Sequence, residues 1–177
     1  MTTPARHTIA AGTVFDGARL HRDCAVVIEG ERIAAVLPQH RDSTGRCRSA
    51  GSGPLHPLPK GAWLAPGFID CQVNGGGDVL LNDAPTPETI GRIAVAHRRL
   101  GTTGLLPTLI SDTPAQMQAA LDAVRQTRRA NPGILGIHLE GPFLSPRKPG
   151  VHNPAVFRVP NDEDAARLIH GRAGVDR

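Results

Sequence analysis

The stretch LLPTLISDTPAQMQAALDAVRQTRRANPGILGIHLEGP, residues 105–142, decides the fold. It begins and ends in short apolar runs, LLPTLI and ILGIHL, which are typical of strands buried on both faces. Between the runs, Asp112 or Thr113 can cap a helix that begins at Pro114, and the NPG triplet can end it. A strand, helix, strand order requires a crossover between two parallel strands. The stretch therefore predicts parallel α/β architecture.

The same alternation is present upstream. Residues 63–73 predict a further buried strand, and Thr86 with Pro87 predicts the cap and first turn of a helix that ends at Gly101. The predicted buried stripes of the two helices are Ile90, Ile93, Ala94, His97 and Leu100 in the first, and Met117, Ala120, Leu121 and Val124 in the second. Three strands joined by two helices fit either a doubly wound sheet or a (β/α)8 barrel.

Both architectures place function beyond the carboxyl ends of the strands. Asn74, Ser111 and Glu140 fall at these ends. His138 precedes Glu140 by two residues and so points to the same side of its strand. A carboxylate at the end of a buried strand can hold a metal ion or a proton, which makes Glu140 the leading candidate for chemistry.

The amino-terminal region has a different pattern. Short strands are predicted at 8–10, 13–15, 25–28 and 33–36, with a hairpin turn around Gly30. Residues 40–60 are rich in Arg, Ser, Gly and Pro, which favours an irregular connector. This region therefore predicts a small β element.

Composition excludes several classes of function. The chain has 177 residues and a formal charge of +4, but it has no Tyr, one Trp and four Phe, so aromatic stacking on nucleic-acid bases is disfavoured. The chain has three cysteines, an odd number without paired spacing, which fits a reducing compartment such as the cytoplasm. The sequence shows neither the apolar core of a secretion signal nor a long apolar run, so we expect no membrane span.

Three blocks resemble one known family. LAPGFIDCQVNGGGDVLLND (residues 64–83), GTTGLLPTLISD (101–112) and ILGIHLEGPFLSPRKPGVHNP (134–154) are similar to the N-acetylglucosamine-6-phosphate deacetylases of the amidohydrolase superfamily. The blocks keep the order and approximate spacing of that family. The resemblance implies removal of acetate from N-acetylglucosamine 6-phosphate, giving glucosamine 6-phosphate.

The resemblance also implies an architecture. Residues 1–60 would form a small β-sandwich element and connector, and residues 61–177 the amino-terminal part of a metal-dependent TIM-type barrel. Such a (β/α)8 barrel takes about 250 residues, so we expect only its first three to four β/α units here. We accordingly expect this chain alone to be a truncated fragment, catalytically inactive and poorly soluble.

Site residues follow from the matched motifs. Glu140 corresponds to the protein carboxylate that binds one catalytic divalent metal, commonly zinc, and Val151 and His152 correspond to positions that contact the sugar phosphate. Gln72 and Asn74 stand where many amidohydrolases carry a His pair for a second metal, and neutral amides are poor ligands for transition metals. Together with His138, they are possible pocket residues. The family's catalytic aspartate and its metal-binding histidines would lie beyond Arg177.

Some alternatives stay open. The galactosamine isomer is a second candidate substrate, and a non-catalytic remnant that binds a partner or sugar phosphate is a candidate from another class. The resemblance implies a homodimer for full-length relatives. His97 is expected to pack in the core rather than bind metal, and the three glycines at 75–77 to form a tight turn rather than a phosphate cradle, because the Lys and Ser or Thr of a P-loop are missing.

Overall fold

The computed structural model describes residues 5–41, 43, 47–48 and 53–172. The chain divides into two compact units, Met1–Pro66 and Gly67–Arg177. The first is built from strands and the second from strands and helices, as expected for a mixed α/β protein.

The described residues of the first unit form seven strands: β1 (Arg6–Phe15), β2 (Leu20–Glu29), β3 (Arg32–Pro38), β4 (His40–Arg41), β5 (Cys47–Arg48), β6 (Leu55–Pro57) and β7 (Trp63–Leu64). The main sheet has the order β3-β2-β1-β6, and β7 also pairs with β1. β1, β2 and β3 are antiparallel neighbours, whereas β6 and β7 run parallel to β1. β4 and β5 form a separate antiparallel pair.

The predicted hairpin is present, with Gly30 at a positive φ of 59° between β2 and β3. Ala11, Val14, Cys24 and Val26 form the apolar cluster of this sheet. Burial raises the pKa of the Cys24 thiol above its usual range, since the thiolate is disfavoured away from water.

Two expectations for this region need correction. The strands predicted at 8–10 and 13–15 form one continuous strand, β1. The predicted connector at 40–60 contains β6, which is held by backbone pairing to β1 that hydrophobic patterning does not reveal. Residues 42, 44–46 and 49–52 of that connector lie outside the described part of the chain.

The strand predicted at 63–73 is two strands. β7 joins the sheet of the first unit, and β8 (Phe68–Val73) begins the second unit. Pro66 lies between them, and proline has no N–H to donate to a strand ladder.

The second unit alternates strands and helices: β8, α1 (Pro87–Arg98), β9 (Thr102–Ile110), α2 (Pro114–Ala130), β10 (His138–Glu140) and α3 (Asp162–Arg172), with a 3-10 turn at Pro154–Val156. Its sheet has the order β8-β9-β10, and both pairs are parallel. The strand predicted at 134–139 is shorter in the structure, where Ile134 makes only an isolated bridge to Leu105.

Both predicted helix starts are confirmed. The Thr86 hydroxyl accepts a hydrogen bond from the Thr89 amide, and the Thr113 hydroxyl accepts one from the Gln116 amide, so Thr113 rather than Asp112 caps α2. A proline follows each cap. Most of the predicted stripes lie in one core, which contains Val73, Leu81, Ile90, Ile93, Ala94, Leu105, Leu109, Met117, Ala120, Ala123, Val124 and Ile134. Leu100 is an exception at 80% exposed, because α1 ends at Arg98.

The expectation that β8 is buried on both faces is wrong for the described residues. Phe68 is 69% and Ile69 66% exposed, whereas Val73 is buried. Both α1 and α2 pack against β9. No helix among the described residues has the length and apolar character needed to cross a membrane.

Candidate active site at the strand ends

Glu140 is the last residue of β10, and its carboxylate faces two of the predicted site residues. Oε2 accepts a hydrogen bond of 2.9 Å from Nε2 of Gln72, and Oε1 lies 3.5 Å from Nε2 of His152. Gln72 is on β8 and His152 is on the loop after β10. The structure thus brings these three residues together at the carboxyl ends of the strands.

His152 is enclosed, with a side chain that is 8% exposed. Its Nδ1 lies 2.8 Å from the Ser111 hydroxyl oxygen and 3.3 Å from the Ser111 backbone nitrogen. The Phe157 ring lies 6.2 Å away, centroid to centroid. Although His152 lies on a loop, its ring is buried, and both of its nitrogens face polar partners.

His138 also reaches across the sheet. Its Nδ1 is 3.0 Å from the Cys71 carbonyl oxygen on β8. β9 lies between β8 and β10 in the sheet, yet His138 and Gln72 both make contacts that span the two outer strands. The sheet is therefore curved enough for side chains of its outer strands to meet.

The remaining predicted positions are accessible. Val151 is 86% exposed, and Asn74 is exposed directly after β8. The Asn74 carbonyl accepts a hydrogen bond of 3.1 Å from the Leu81 amide, which closes the glycine-containing turn. Their roles toward a ligand stay predictions.

His97 packs as expected of a structural residue. Its Nε2 is 2.9 Å from the Gly75 carbonyl oxygen. A side chain at Gly76 would place its Cβ 3.0 Å from the His97 ring, so the glycine lets the loop lie against α1. The three glycines therefore form a tight turn held by this helix.

Two residues at the site received no specific role from the sequence, although Ser111 was placed at a strand end. Ser111 contacts His152, and Asn82 binds the end of β9 by accepting from the Ile110 amide and donating to its carbonyl. The position of Ser111 directly after β9 was a usable signal, because it falls at the same sheet edge as Glu140. Asn82 gave no comparable signal, since its partner is 28 residues away.

The described side chains do not form a complete metal-binding site. Among the described residues, no group of three or more His, Cys, Asp and Glu side chains could hold a metal ion. Catalytic zinc usually has three protein ligands. The role of Glu140 as one such ligand stays a prediction; the structure shows its carboxylate accepting a hydrogen bond from Gln72.

A parallel α/β sheet with Glu140, Gln72 and His152 at its strand ends has the site placement of an α/β enzyme. The comparisons with known proteins narrow this class. The chain is 41% identical over 152 residues to the N-acetylgalactosamine-6-phosphate deacetylase of Shewanella sp. (strain ANA-3), covering 82% of this chain and 37% of the relative. It is 37% identical to the N-acetylglucosamine-6-phosphate deacetylase of Haemophilus influenzae, covering 77% of this chain and 34% of the relative.

A solved structure agrees with these relatives. A mutant N-acetyl-D-glucosamine-6-phosphate deacetylase from Mycobacterium smegmatis, in complex with N-acetyl-D-glucosamine-6-phosphate, superposes with a TM-score of 0.79 and 28% identity, covering 98% of this chain and 42% of that one. No family model matches the chain. The chain is a homologue of amino-sugar phosphate deacetylases, which confirms the resemblance of its three motifs. It spans only about a third of the length of the two curated relatives.

Proposed function

We propose that this chain forms part of a hydrolase that removes acetate from N-acetylglucosamine 6-phosphate. In this reaction water adds to the amide carbonyl, the C–N bond breaks, and acetate and glucosamine 6-phosphate are released, the amine taking a proton. The observation that carries the proposal is the Glu140 carboxylate, placed at a strand end between Gln72 and His152. The names of its relatives support the substrate class.

We propose that the second unit is the start of a (β/α)8 barrel, preceded by a small β-sandwich element. The sequential strand order β8-β9-β10 supports this, as do the contacts of Gln72 and His138 across the curved sheet. A barrel needs sequential parallel strands that bend around one axis.

Glu140 is proposed to bind a single divalent metal, with zinc the expected ion. Bound there, the metal would polarise the amide carbonyl and lower the pKa of its water enough to supply hydroxide near neutral pH. Gln72 donates to Oε2 of Glu140 and so fixes the orientation of the carboxylate. The neutral amides of Gln72 and Asn74 argue for one metal rather than two.

His152 and Val151 are proposed to contact the sugar phosphate. The exposed Val151 is open to a ligand, and His152 is held rigidly beside Glu140. His138, bonded to the β8 backbone, would line the same pocket. The resemblance to the family implies that an aspartate supplies the proton for the departing amine.

N-acetylgalactosamine 6-phosphate is the second candidate substrate. The observation that favours it is the 41% identity to the Shewanella enzyme named for that sugar. Comparing kcat/KM for the two sugar epimers would separate these candidates.

A homodimer and a cytoplasmic location are part of the same proposal, and a non-catalytic remnant is the competing account.

The proposal is tested by co-expressing the full 177-residue chain with the segment of the Haemophilus influenzae enzyme that it does not match. We expect the purified pair to release acetate from N-acetylglucosamine 6-phosphate in the presence of zinc. The chain by itself should give no turnover above a metal-free blank.

The matched variants are Glu140→Gln and Glu88→Gln, both neutral replacements of a carboxylate. Glu140→Gln should lower kcat/KM and zinc content by about 100-fold, whereas Glu88→Gln, on the exposed first turn of α1, should leave both unchanged. A folded pair whose Glu140→Gln variant keeps its zinc and rate would refute the assignment.

A further inference from the structure

We propose that Ser111 is a positioning residue that fixes the tautomer and orientation of His152. This inference deepens the proposed function, on which the catalytic meaning of His152 rests. Ser111 lies directly after β9, and its side chain and backbone both face the same ring nitrogen of His152.

The backbone amide of Ser111 decides the protonation of that nitrogen. Its N–H points at Nδ1 of His152, with 3.3 Å between the two nitrogens. A backbone amide can only donate, so Nδ1 must accept, and in a neutral imidazole the other nitrogen then carries the proton. His152 is therefore held as the Nε2–H tautomer.

The Ser111 hydroxyl reinforces the same state. Its oxygen is 2.8 Å from Nδ1 of His152 and 3.4 Å from the Glu140 carbonyl oxygen. When the hydroxyl donates to Nδ1, it adds a second and shorter hydrogen bond to that acceptor. The amide by itself, at 3.3 Å, gives a weaker preference for the same tautomer, so the hydroxyl is needed to make that preference strong.

Ser111 is itself rigidly placed. It is 7% exposed, and the residue before it, Ile110, is bound through both its amide and its carbonyl by the Asn82 side chain. A Cβ built on Gly141 would lie 2.1 Å from the Ser111 hydroxyl oxygen. The absence of a side chain at Gly141 thus leaves the space that the hydroxyl occupies.

The fixed tautomer determines what the other ring nitrogen of His152, Nε2, can do. Nε2 of His152 lies 3.5 Å from Oε1 of Glu140, so the fixed tautomer presents an N–H toward that carboxylate. A protonated Nε2 has no lone pair for a metal ion or an incoming proton. Ser111 thereby makes His152 a hydrogen-bond donor beside Glu140, and neither a metal ligand nor a base.

The test is long-range ¹H–¹⁵N NMR on the full chain labelled with ¹⁵N-histidine, recorded without substrate or added metal at a pH where the ring is neutral. The His152 signals are assigned by their loss in His152→Gln. We expect the wild type to show a protonated Nε2 and an unprotonated Nδ1. Ser111→Ala should raise the Nδ1–H population several-fold, because only the longer amide contact remains.

Ser145→Ala is the matched control, since Ser145 accepts a hydrogen bond from the Arg147 amide on an exposed loop and its hydroxyl should not affect His152. An Nδ1–H tautomer in the wild type would overturn the inference, as would a folded Ser111→Ala chain with an unchanged His152 spectrum. If Ser111→Ala does not fold, the wild-type spectrum alone decides the tautomer. Because no turnover is measured, this result is independent of whether the deacetylase proposal holds.

Discussion

Close packing around Gly141 connects the residues of the candidate site. Gly141 follows Glu140 directly and has a φ of 102°, a region that residues with a Cβ rarely adopt. The Ser111 hydroxyl fills the space beside it. The conformation of one glycine therefore lets the carboxylate-bearing strand end approach the serine that holds His152.

This packing predicts opposite effects for two glycine substitutions. Gly141→Ala should lower the free energy of unfolding by about 2 kcal/mol or more, because its backbone is strained and its Cβ displaces the Ser111 hydroxyl. Gly91→Ala, inside α1 with nothing within 4 Å of the built Cβ, should raise it by roughly 0.5–1 kcal/mol. Urea unfolding measures both. Equal shifts in the same direction would contradict this reading.

At the scale of elements, β9 extends beyond the end of its neighbour β8. The β8 ladder ends where Val73 pairs with Pro107, and β9 continues to Ile110. The Asn82 side chain then takes the place of a strand, accepting from the Ile110 amide at 3.1 Å and donating to its carbonyl at 3.2 Å. This side chain completes the ladder just before Ser111.

Removing the Asn82 amide should loosen that strand end. Asn82→Ala leaves the Ile110 amide without its acceptor, and we expect it to lower the free energy of unfolding by about 1–3 kcal/mol and to speed hydrogen exchange at Ile110. Gln118→Ala is the control, because among the described residues the Gln118 amide binds Asp122 within α2 and holds no strand end, so its loss should cost no more than about 0.5 kcal/mol. Unchanged exchange at Ile110 in Asn82→Ala would show that the contact does not hold β9.

At the scale of the whole molecule, the second unit presents one apolar sheet face to solvent. Ile69 is 66% and Leu135 42% exposed, and the Leu135 side chain lies over Gly104, the strand partner of Ile69. In the described part of the chain, β10 pairs only with β9, so its other edge has free backbone groups. Such a face and edge favour association with further protein.

We expect this face to bind the hydrophobic dye ANS. Ile69→Ser should reduce the dye fluorescence clearly, because it removes the centre of the apolar patch. Ile33→Ser, at a residue that is 70% exposed on β3 of the other unit, is the control and should have little effect. Equal dye binding by the wild type and the Ile69→Ser chain would show that this face is covered in solution.

The helices and the parallel strands could be predicted from the sequence, because their signals are local. The caps Thr86 and Thr113 and the helical stripes act within a few residues along the chain, so the order of the helices and parallel strands could be predicted. Glu140 could be placed at a strand end for the same reason. The motifs around it also gave the correct relatives.

Tertiary structure alone decided the rest. The pairing of β6 and β7 with β1, and the contacts that join Ser111 to His152 across 41 residues, depend on segments that meet only after folding. The exposure of Phe68 and Ile69 likewise could not be read from the apolar composition of β8. Sequence determined the local elements because their hydrogen bonds close within a few residues, whereas the site geometry required the whole sheet to bring distant side chains within hydrogen-bonding distance.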